Sequence, residues 1–506
     1  MSDQRVTRAD VVAALTDGPF DVLVAGGGIV GAGVARDAAL RGLRVALVDQ
    51  HDFAFGTSSR SSRLLHGGLR YLAQGRLGLV REASVEKRIV HNLAPQICAP
   101  LPFVLPTYRG APWAAWALWK LRIGVRIYDW LCSGRNFGRS GGMMPAQVVN
   151  HLPGIETANL TGAVRYFDGL TNDARLTIDT VRSAAKAGAC AVNYCKLAEA
   201  VWEAGAWRCL LTDRLNGREL RVTSRSVVNA TGPWGQQFAQ RGIPLRLTKG
   251  IHMVIERDRL PIPAAVVMTE GKRLLFAIPW GERVILGTTD TDYAGPLEDV
   301  FANADDIAYV LQVTNESFPP AALSANDVVS TWAGLRPLIA NPHGRPSDIS
   351  RSHKIRMSQP GWYDVAGGKL TTYRLIAEQT VDQLEQYLGR RRTPCCTALV
   401  PLLEPPEVGE CSTLVPGPVS ATAVEHCCHR EWAIHLDDVM IRRTGWHHYH
   451  RDAGRIAAQV AQWMGACLGW NDAERDAELA RYQRQVGASR PSRGDRPQPA
   501  VTGVRS

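Results

Sequence analysis

The sequence predicts a mixed α/β (α+β) protein, and three separated stretches predict it. "FDVLVAGGGIVGAGVARDAALRGLRVALVDQ", Phe20 to Gln50, passes from an apolar run into Gly26-x-Gly28-x-x-Gly31, then an alanine-rich helical pattern, then a second apolar run, Val45 to Val48, that ends at Asp49. "SRSVVNATGPWG", Ser224 to Gly235, is an apolar strand that enters the small-residue turn Ala230-Thr231-Gly232. "GWYDVAGGKLTTYRLIAEQTVDQL", Gly361 to Leu384, has a short strand, then Gly367-Gly368-Lys369, then an amphipathic helix opening near Thr371. Strand, glycine turn and helix in this order are the unit of a Rossmann-like domain, here assembled from discontinuous segments.

Each element of the first stretch has a physical reason. Gly26 permits the tight turn, Gly28 lets a pyrophosphate approach the backbone, Ile29 opens the helix, and Gly31 allows helix to pack closely on strand. Asp49, about twenty residues on, stands where a carboxylate accepts hydrogen bonds from a ribose. The turn at Ala230, Thr231 and Gly232 is a second place where a ligand can pass close to backbone. The third lies at Gly368, Lys369, Leu370 and Thr371, a helix start that presents free N–H groups and the positive end of a dipole. Three approaches suit one long cofactor, and a helix end with Lys369 suits the partial negative charge of a reduced flavin, so FAD is expected rather than NAD.

Bulk properties narrow the function class. A chain of 506 residues that is 45% hydrophobic can bury a large core and divide into two or three domains. The start, "MSDQRVTRAD", lacks the apolar core of a secretory signal, and no apolar run reaches the eighteen or so residues of a membrane span, so a cytoplasmic location is expected. Eleven irregularly spaced cysteines read as free thiols in a reducing compartment. The net charge is +10, of which the end "ASRPSRGDRPQPAVTGVRS", with four arginines and one aspartate, carries +3. Residues 488–506 are read as a disordered basic tail on their Pro, Gly and Ser content. The remaining excess is mild and scattered, without the clustered lysines and interleaved aromatics of a nucleic-acid groove, so no nucleic-acid partner is expected.

A further block, "GTSSRSSRLLHGGLRYL", is rich in serine and arginine around a histidine and a glycine pair. Together with "GGGIVGAGVARDAALRGLRVALVD", "VNATGPW", "LTKGIHMV", "IPWGERVILGTTDTDY", "WAGLRPL" and "VAGGKLTTYRLIAEQT", in order over about residues 20 to 385, it resembles the aerobic, quinone-linked FAD-dependent glycerol-3-phosphate dehydrogenases. "EWAIHLDDVMIRRTGW", Glu431 to Trp446, resembles the C-terminal helical domain of that family. The resemblance implies an FAD lobe with an inserted antiparallel-sheet substrate lobe over 1–390, a linker over 391–417 and a C-terminal helical domain over 418–487. It implies oxidation of sn-glycerol 3-phosphate at C2 to dihydroxyacetone phosphate, with hydride passing to flavin N5 and electrons to a membrane quinone. The expected partners are glycerol 3-phosphate, a quinone and a membrane surface, with peripheral association at the inner face of the cell membrane. A homodimer is compatible with the sequence.

Residue roles follow from the same resemblance. Thr57, Ser58, Ser59, Ser62, Leu64, Gly67 and Gly68 are expected on the cofactor, Ser58 to Ser62 on its pyrophosphate side. Arg336 in "AGLRPL" and Arg351 in "DISRSHKI" match positions associated with the substrate phosphate, and Arg70 with Tyr71 in "GGLRYL" match substrate-side positions. Arginine suits a phosphate because its planar fork donates two parallel hydrogen bonds. The proton acceptor is left open among His66, His252 and Lys369, since imidazole titrates near neutral pH and Lys369 also fits as the electrostatic partner of the flavin. Thr288 and Asp290 in "GTTDTDY" line the substrate sheet or close a turn.

Two alternatives share parts of this pattern. A flavin oxidase of an amino or hydroxy acid keeps the fold but needs one carboxylate clamp instead of several phosphate donors. An RNA-binding or RNA-modifying flavoprotein needs a basic groove. "EHCCHREW", Glu425 to Trp432, suggests metal only weakly, because adjacent cysteines on a helix point about 100° apart, and no metal is expected. In "APWAAWALWKLRIGVRIYDWL", Ala111 to Leu131, a helical wheel puts Trp116, Trp119, Ile123, Ile127 and Trp130 on one stripe flanked by Lys120 and Arg126. That pattern suits either a core helix or one lying in a bilayer interface.

Overall fold

The structure, a computed structural model, describes residues 7–68, 77–110, 118–132, 136–238, 242–271, 273–340 and 353–487. From the N-terminus come strand β1 (Phe20–Ala25), helix α1 (Ile29–Leu40) and strand β2 (Val45–Val48). Helix α2 (Leu77–Leu93), strand β3 (Cys98–Tyr108), helix α3 (Leu118–Leu131), strand β4 (Leu160–Thr171), helix α4 (Asp173–Lys186) and strand β5 (Glu219–Asn229) follow. A run of antiparallel strands comes next: β6 (Leu245–Glu256), β7 (Ala265–Glu270), β8 (Arg273–Trp280) and β9 (Arg283–Gly287). Helix α5 (Ala304–Ser317), strands β10 (Val328–Ile339) and β11 (Trp362–Gly367) and helix α6 (Tyr373–Tyr387) complete the two lobes. Helices α7 (Ala421–Arg430), α8 (Ala453–Leu468) and α9 (Asp472–Val486) close the chain.

Among the described residues, one sheet has eight strands, with β11, β5, β1 and β2 consecutive at its centre. These four run parallel, Ala25 lying opposite both Asn229 and Val48. Strands buried on both faces read as continuous apolar runs, which is why "VLVA" and "VALV" show no alternation. Helices α1, α4 and α6 cover one face, and the small residues of α1 let it sit close. A Cβ on Gly33 would lie 3.0 Å from the Tyr373 ring of α6.

The second sheet has ten strands among the described residues and is antiparallel apart from the β7–β3 pair. Its long strands alternate between faces as a pleat requires. Ile251, Met253 and Ile255 of β6 enter a core with Ile307 and Val310 of α5. Val254 faces the other way, into a core with Phe103, Tyr166 and Leu121, Val125 and Tyr128 of α3. The expected α/β architecture, with an antiparallel sheet set against a Rossmann-like lobe and a helical C-terminal unit, is the one observed.

The C-terminal helices hold their own core around Val424, Val439, Trp446 and Val460. They are tied to the cofactor lobe by buried charge: the Asp52 carboxylate accepts from Arg442 Nε at 2.6 Å and from Arg443 at 2.5 and 2.8 Å. All eleven cysteines are free thiols, Cys411 and Cys427 Sγ standing 3.5 Å apart. No group of three or more metal-ligating side chains occurs among the described residues. In the "EHCCHREW" segment, His426 is engaged with Glu431 at 3.2 Å.

Candidate active site

Because β1, β5 and β11 lie side by side, the turns that follow them converge on one edge of the sheet. They open onto a cavity of about 1200 Å³ between the two sheets. Gly26, Gly28, Ile29 and Asp49 line it from the first turn, Ala230, Thr231 and Gly232 from the second, Gly368, Lys369 and Leu370 from the third. Thr57, Ser58, Ser62, Leu64, His66 and Gly68 line it from the serine-rich block, and His252 and Arg336 from the second sheet.

Four residues expected at the cofactor stand behind this wall, each for a packing reason. A Cβ on Gly31 would lie 1.8 Å from the Gly26 carbonyl oxygen, so Gly31 is the close helix-on-strand contact and does not reach the cavity. Ser59 is buried in a short 3-10 turn. Gly67 packs under the Tyr128 hydroxyl, 2.2 Å from where its Cβ would be. The Thr371 hydroxyl accepts from the His66 N–H at 3.0 Å and so braces the wall from behind. Arg70, Tyr71 and Arg351 lie outside the described residues.

The cofactor end is made of backbone. Gly26 has φ +106°, and a Cβ there would meet the Ala230 carbonyl oxygen at 2.6 Å, so two of the converging turns leave room only for glycine. Helix α1 begins at Gly28 without a side-chain cap, and its Ile29 N–H donates to Ser58 Oγ at 2.9 Å. An uncapped helix start beside hydroxyls is a ready pyrophosphate site. Asp49 accepts from the Gly27 N–H at 2.6 Å and the His51 N–H at 2.8 Å. Burial raises its carboxyl to about 7, against the pull of those two N–H groups. This cradle, the Asp49 acceptor and a cavity lined from all three turns fit FAD.

The opposite end is made of side chains held over glycines. On adjacent strands Thr248 lies opposite Arg336, Gly250 opposite Gly334 and His252 opposite Trp332, so all six share one face. The Arg336 guanidinium lies across Gly250, where a Cβ would come within 2.2 Å of it. It donates to Thr288 Oγ1 at 2.9 Å, to the Thr289 carbonyl and to Asp290 at 3.2 Å. Thr288 and Asp290 therefore orient the arginine as well as line the cavity. His252 is 2% exposed and stacked on Trp332, with Nε2 2.8 Å from Ser62 Oγ. Burial, then the charges of Arg336 and Arg63, push its imidazole down to about 3, so it is neutral at ordinary pH.

Several lining groups escaped the sequence reading. His51, Phe55 and Arg60 form a stack beside Asp49, with the Arg60 guanidinium 5.1 Å from the Phe55 ring centre. Burial, then the Arg442 charge, lowers Arg60 to about 10. Beyond His66 the cavity continues as an apolar arm lined by Phe103, Leu105, Tyr166, Val267 and Phe276 and by Leu118 and Leu121 of α3. Period-two alternation marks Phe103 and Leu105 of β3, and Phe276 of β8, as one face of a strand, but it does not distinguish a cavity face from a core face.

Residues 21–383 match the model of the FAD dependent oxidoreductase family, and residues 412–475 that of the C-terminal domain of alpha-glycerophosphate oxidase. The aerobic glycerol-3-phosphate dehydrogenase of Bacillus subtilis is 39% identical over 406 residues, which cover 78% of this chain and 73% of that one. The chain belongs to the FAD-dependent glycerol-3-phosphate dehydrogenase family. Glycerol-3-phosphate dehydrogenase 2 of Mycobacterium tuberculosis is 34% identical over 528 residues, 93% of this chain and 88% of that one. Among solved structures, the glycerol-3-phosphate dehydrogenase of Bacillus halodurans complexed with FAD superposes with a TM-score of 0.77 at 26% identity, over 95% of this chain and 97% of that one. The cofactor is FAD.

Proposed function

We propose that the protein oxidises sn-glycerol 3-phosphate at C2 to dihydroxyacetone phosphate and passes the electrons to a membrane quinone. The observation that carries the reading is Arg336, a guanidinium fixed over Gly250 by Thr288 and Asp290, in the same cavity as the FAD cradle. A planar fork on the cavity wall suits a phosphate dianion. Bound FAD supplies the hydride acceptor. The chain's own residues do the rest: Arg336 with Arg351 holds the phosphate, Arg70 and Tyr71 stand on the substrate side, and Ser62 fixes the His252 ring from one nitrogen. The proton of the C2 hydroxyl goes to one of His66, His252 and Lys369, all three on the wall, and Lys369 also fits as the electrostatic partner of the flavin. A neutral His252 is free to accept a proton, and a substrate dianion beside it raises its affinity for one.

The quinone and membrane parts rest on α3. Its inner residues Leu121, Val125 and Tyr128 are buried, while Trp119, Ile123, Ile127 and Trp130 on the outer face are 59%, 49%, 39% and 76% exposed. Trp116 lies outside the described residues. No helix among the described residues is long and apolar enough to cross a membrane. A Trp- and Ile-bearing face beside Lys120 and Arg126 suits the interface of an anionic bilayer. The apolar arm runs under the same helix, which gives an acceptor from the membrane a route toward the flavin.

The test has two arms. Protein reduced anaerobically by glycerol 3-phosphate is mixed with a soluble quinone or with oxygen, and reoxidation at least tenfold faster by the quinone is expected. Co-sedimentation with anionic liposomes is expected to fall in the Trp119→Ser/Trp130→Ser variant and at high salt. Faster reoxidation by oxygen, or liposome binding unchanged by the variant, contradicts the acceptor or the membrane part respectively.

A further inference from the structure

A buried cluster that none of the roles above uses reaches the cavity wall at Asp168 and continues behind it through Tyr128, Lys87 and Gly67. Asp168 of β4, 3% exposed, accepts on one carboxylate oxygen from the Tyr128 hydroxyl at 2.5 Å, Lys87 Nζ at 2.9 Å and the Gly67 N–H at 3.2 Å. The Tyr128 hydroxyl in turn accepts from the Gly67 N–H at 3.1 Å. Lys87, 1% exposed, also donates to the Phe167 carbonyl at 3.0 Å and Asn136 Oδ1 at 3.1 Å. Burial and the neighbouring carboxylate hold the Tyr128 phenol well above its usual range, so it stays a donor.

The cluster is expensive to bury, because a lysine and an aspartate both leave water, and a core of apolar residues there would be at least as stable. What it grips explains the expense. Gly67 follows His66, and on the other side of the same two residues the Thr371 hydroxyl accepts from the His66 N–H and donates back to the His66 carbonyl at 3.3 Å. Thr371 follows Lys369 and Leu370, which line the cavity. The His66–Gly67 backbone is thus clamped between a hydroxyl at the flavin-side helix start and a phenol on α3. The fit admits no other residue, since a Cβ on Gly67 would lie 2.2 Å from the Tyr128 hydroxyl and 2.7 Å from Ser84 Oγ.

We infer that Tyr128, Asp168 and Lys87 are positioning residues for the reaction: from the inner face of α3 they fix the His66–Gly67 backbone, and with it the His66 imidazole, against the flavin. Tyr128 acts through Gly67 and does not touch substrate. Its helix is the one whose outer face carries the exposed Trp119 and Trp130, so anything that seats that face acts on the same backbone through a single side chain.

The inference rests on the FAD-site reading above, and the test separates the two. Tyr128→Phe keeps the ring in its core and removes only the hydroxyl, and the visible absorption and circular dichroism of the bound flavin are compared with the parent before any substrate is added. A shifted flavin spectrum with FAD retained is expected, followed by a fall of tenfold or more in the rate of anaerobic flavin reduction at saturating glycerol 3-phosphate, with half-saturation changed less than threefold. A purely structural hydroxyl would lower the melting temperature and leave spectrum and saturating rate at parental values, and that result overturns the inference. Lys87→Met/Asp168→Asn removes the charge pair together, and its effect combined with Tyr128→Phe is expected to be far less than the product of the two, because all three act on one backbone. Full additivity overturns the unit. If the parent flavin is not reduced by glycerol 3-phosphate, the functional reading fails, while the flavin spectrum of Tyr128→Phe still decides the positioning role.

Discussion

The two ends of the cavity are built on opposite plans. The cofactor end is backbone: Gly26 against Ala230, an uncapped helix at Ile29 and the helix start at Leu370. The proposed substrate end is side chain: Arg336 and His252 stand on neighbouring strands and Thr288 directly follows a third, with Gly250 clearing the space for Arg336 and Gly287 for His252. Backbone sites tolerate no added atom but ask little of charge, whereas side-chain sites depend on a particular functional group. Substitutions at the two ends should therefore fail in different ways.

The largest effect belongs to the first plan. Gly26→Val places a branched Cβ into the Ala230 carbonyl at a backbone angle, +106°, that valine avoids. Protein purified from this variant is expected to be colourless, without recoverable flavin. A yellow, fully loaded protein would mean that the turn is not the cofactor cradle.

At the other end, Arg336→Lys is expected to keep its flavin and lose the fork. One charge-assisted contact is worth about 1.5 to 3 kcal/mol, or roughly tenfold to a hundredfold in kcat/KM for glycerol 3-phosphate, with little change for glycerol. Equal losses on both substrates would make Arg336 a structural residue. The comparison between the two ends would then collapse.

How much of this was legible depends on distance along the chain. The strands at Val22–Ala25 and Val45–Val48, the helix after Gly28 and the opening of α6 near Thr371 can be read locally, because period, glycine and length sit within one stretch. That three such turns converge could be inferred only from their likeness, and the parallel register of Ala25, Asn229 and Asp364 provides the physical reason. Arg336 is recognisable in "AGLRPL", but its seat over Gly250 depends on a register set by long-range pairing. The apolar arm, the His51–Phe55–Arg60 stack and the Lys87–Asp168–Tyr128 cluster depend on contacts across tens of residues between ordinary side chains, and no spacing rule marks them.

A smaller effect tests whether charge matters at the backbone end at all. With its carboxyl raised to about 7, Asp49 takes up a proton as pH falls through neutrality and stops accepting cleanly from a ribose hydroxyl. FAD affinity is expected to be highest above pH 8 and to drop about fivefold by pH 6, the worth of about 1 kcal/mol in one hydrogen bond. Asp49→Asn should bind more weakly at high pH and show no such slope. A parental slope that survives in Asp49→Asn would assign the titration elsewhere.

The central claim is that one cavity holds FAD and a phosphorylated polyol together, and anaerobic bleaching of the flavin near 450 nm tests it most directly. Glycerol 3-phosphate is expected to bleach the parent protein completely within seconds, with glycerol at the same concentration at least a hundredfold slower, as a phosphate clamp worth about 3 kcal/mol requires. Bleaching by glycine or by a 2-hydroxy acid, with glycerol 3-phosphate inert, would contradict it.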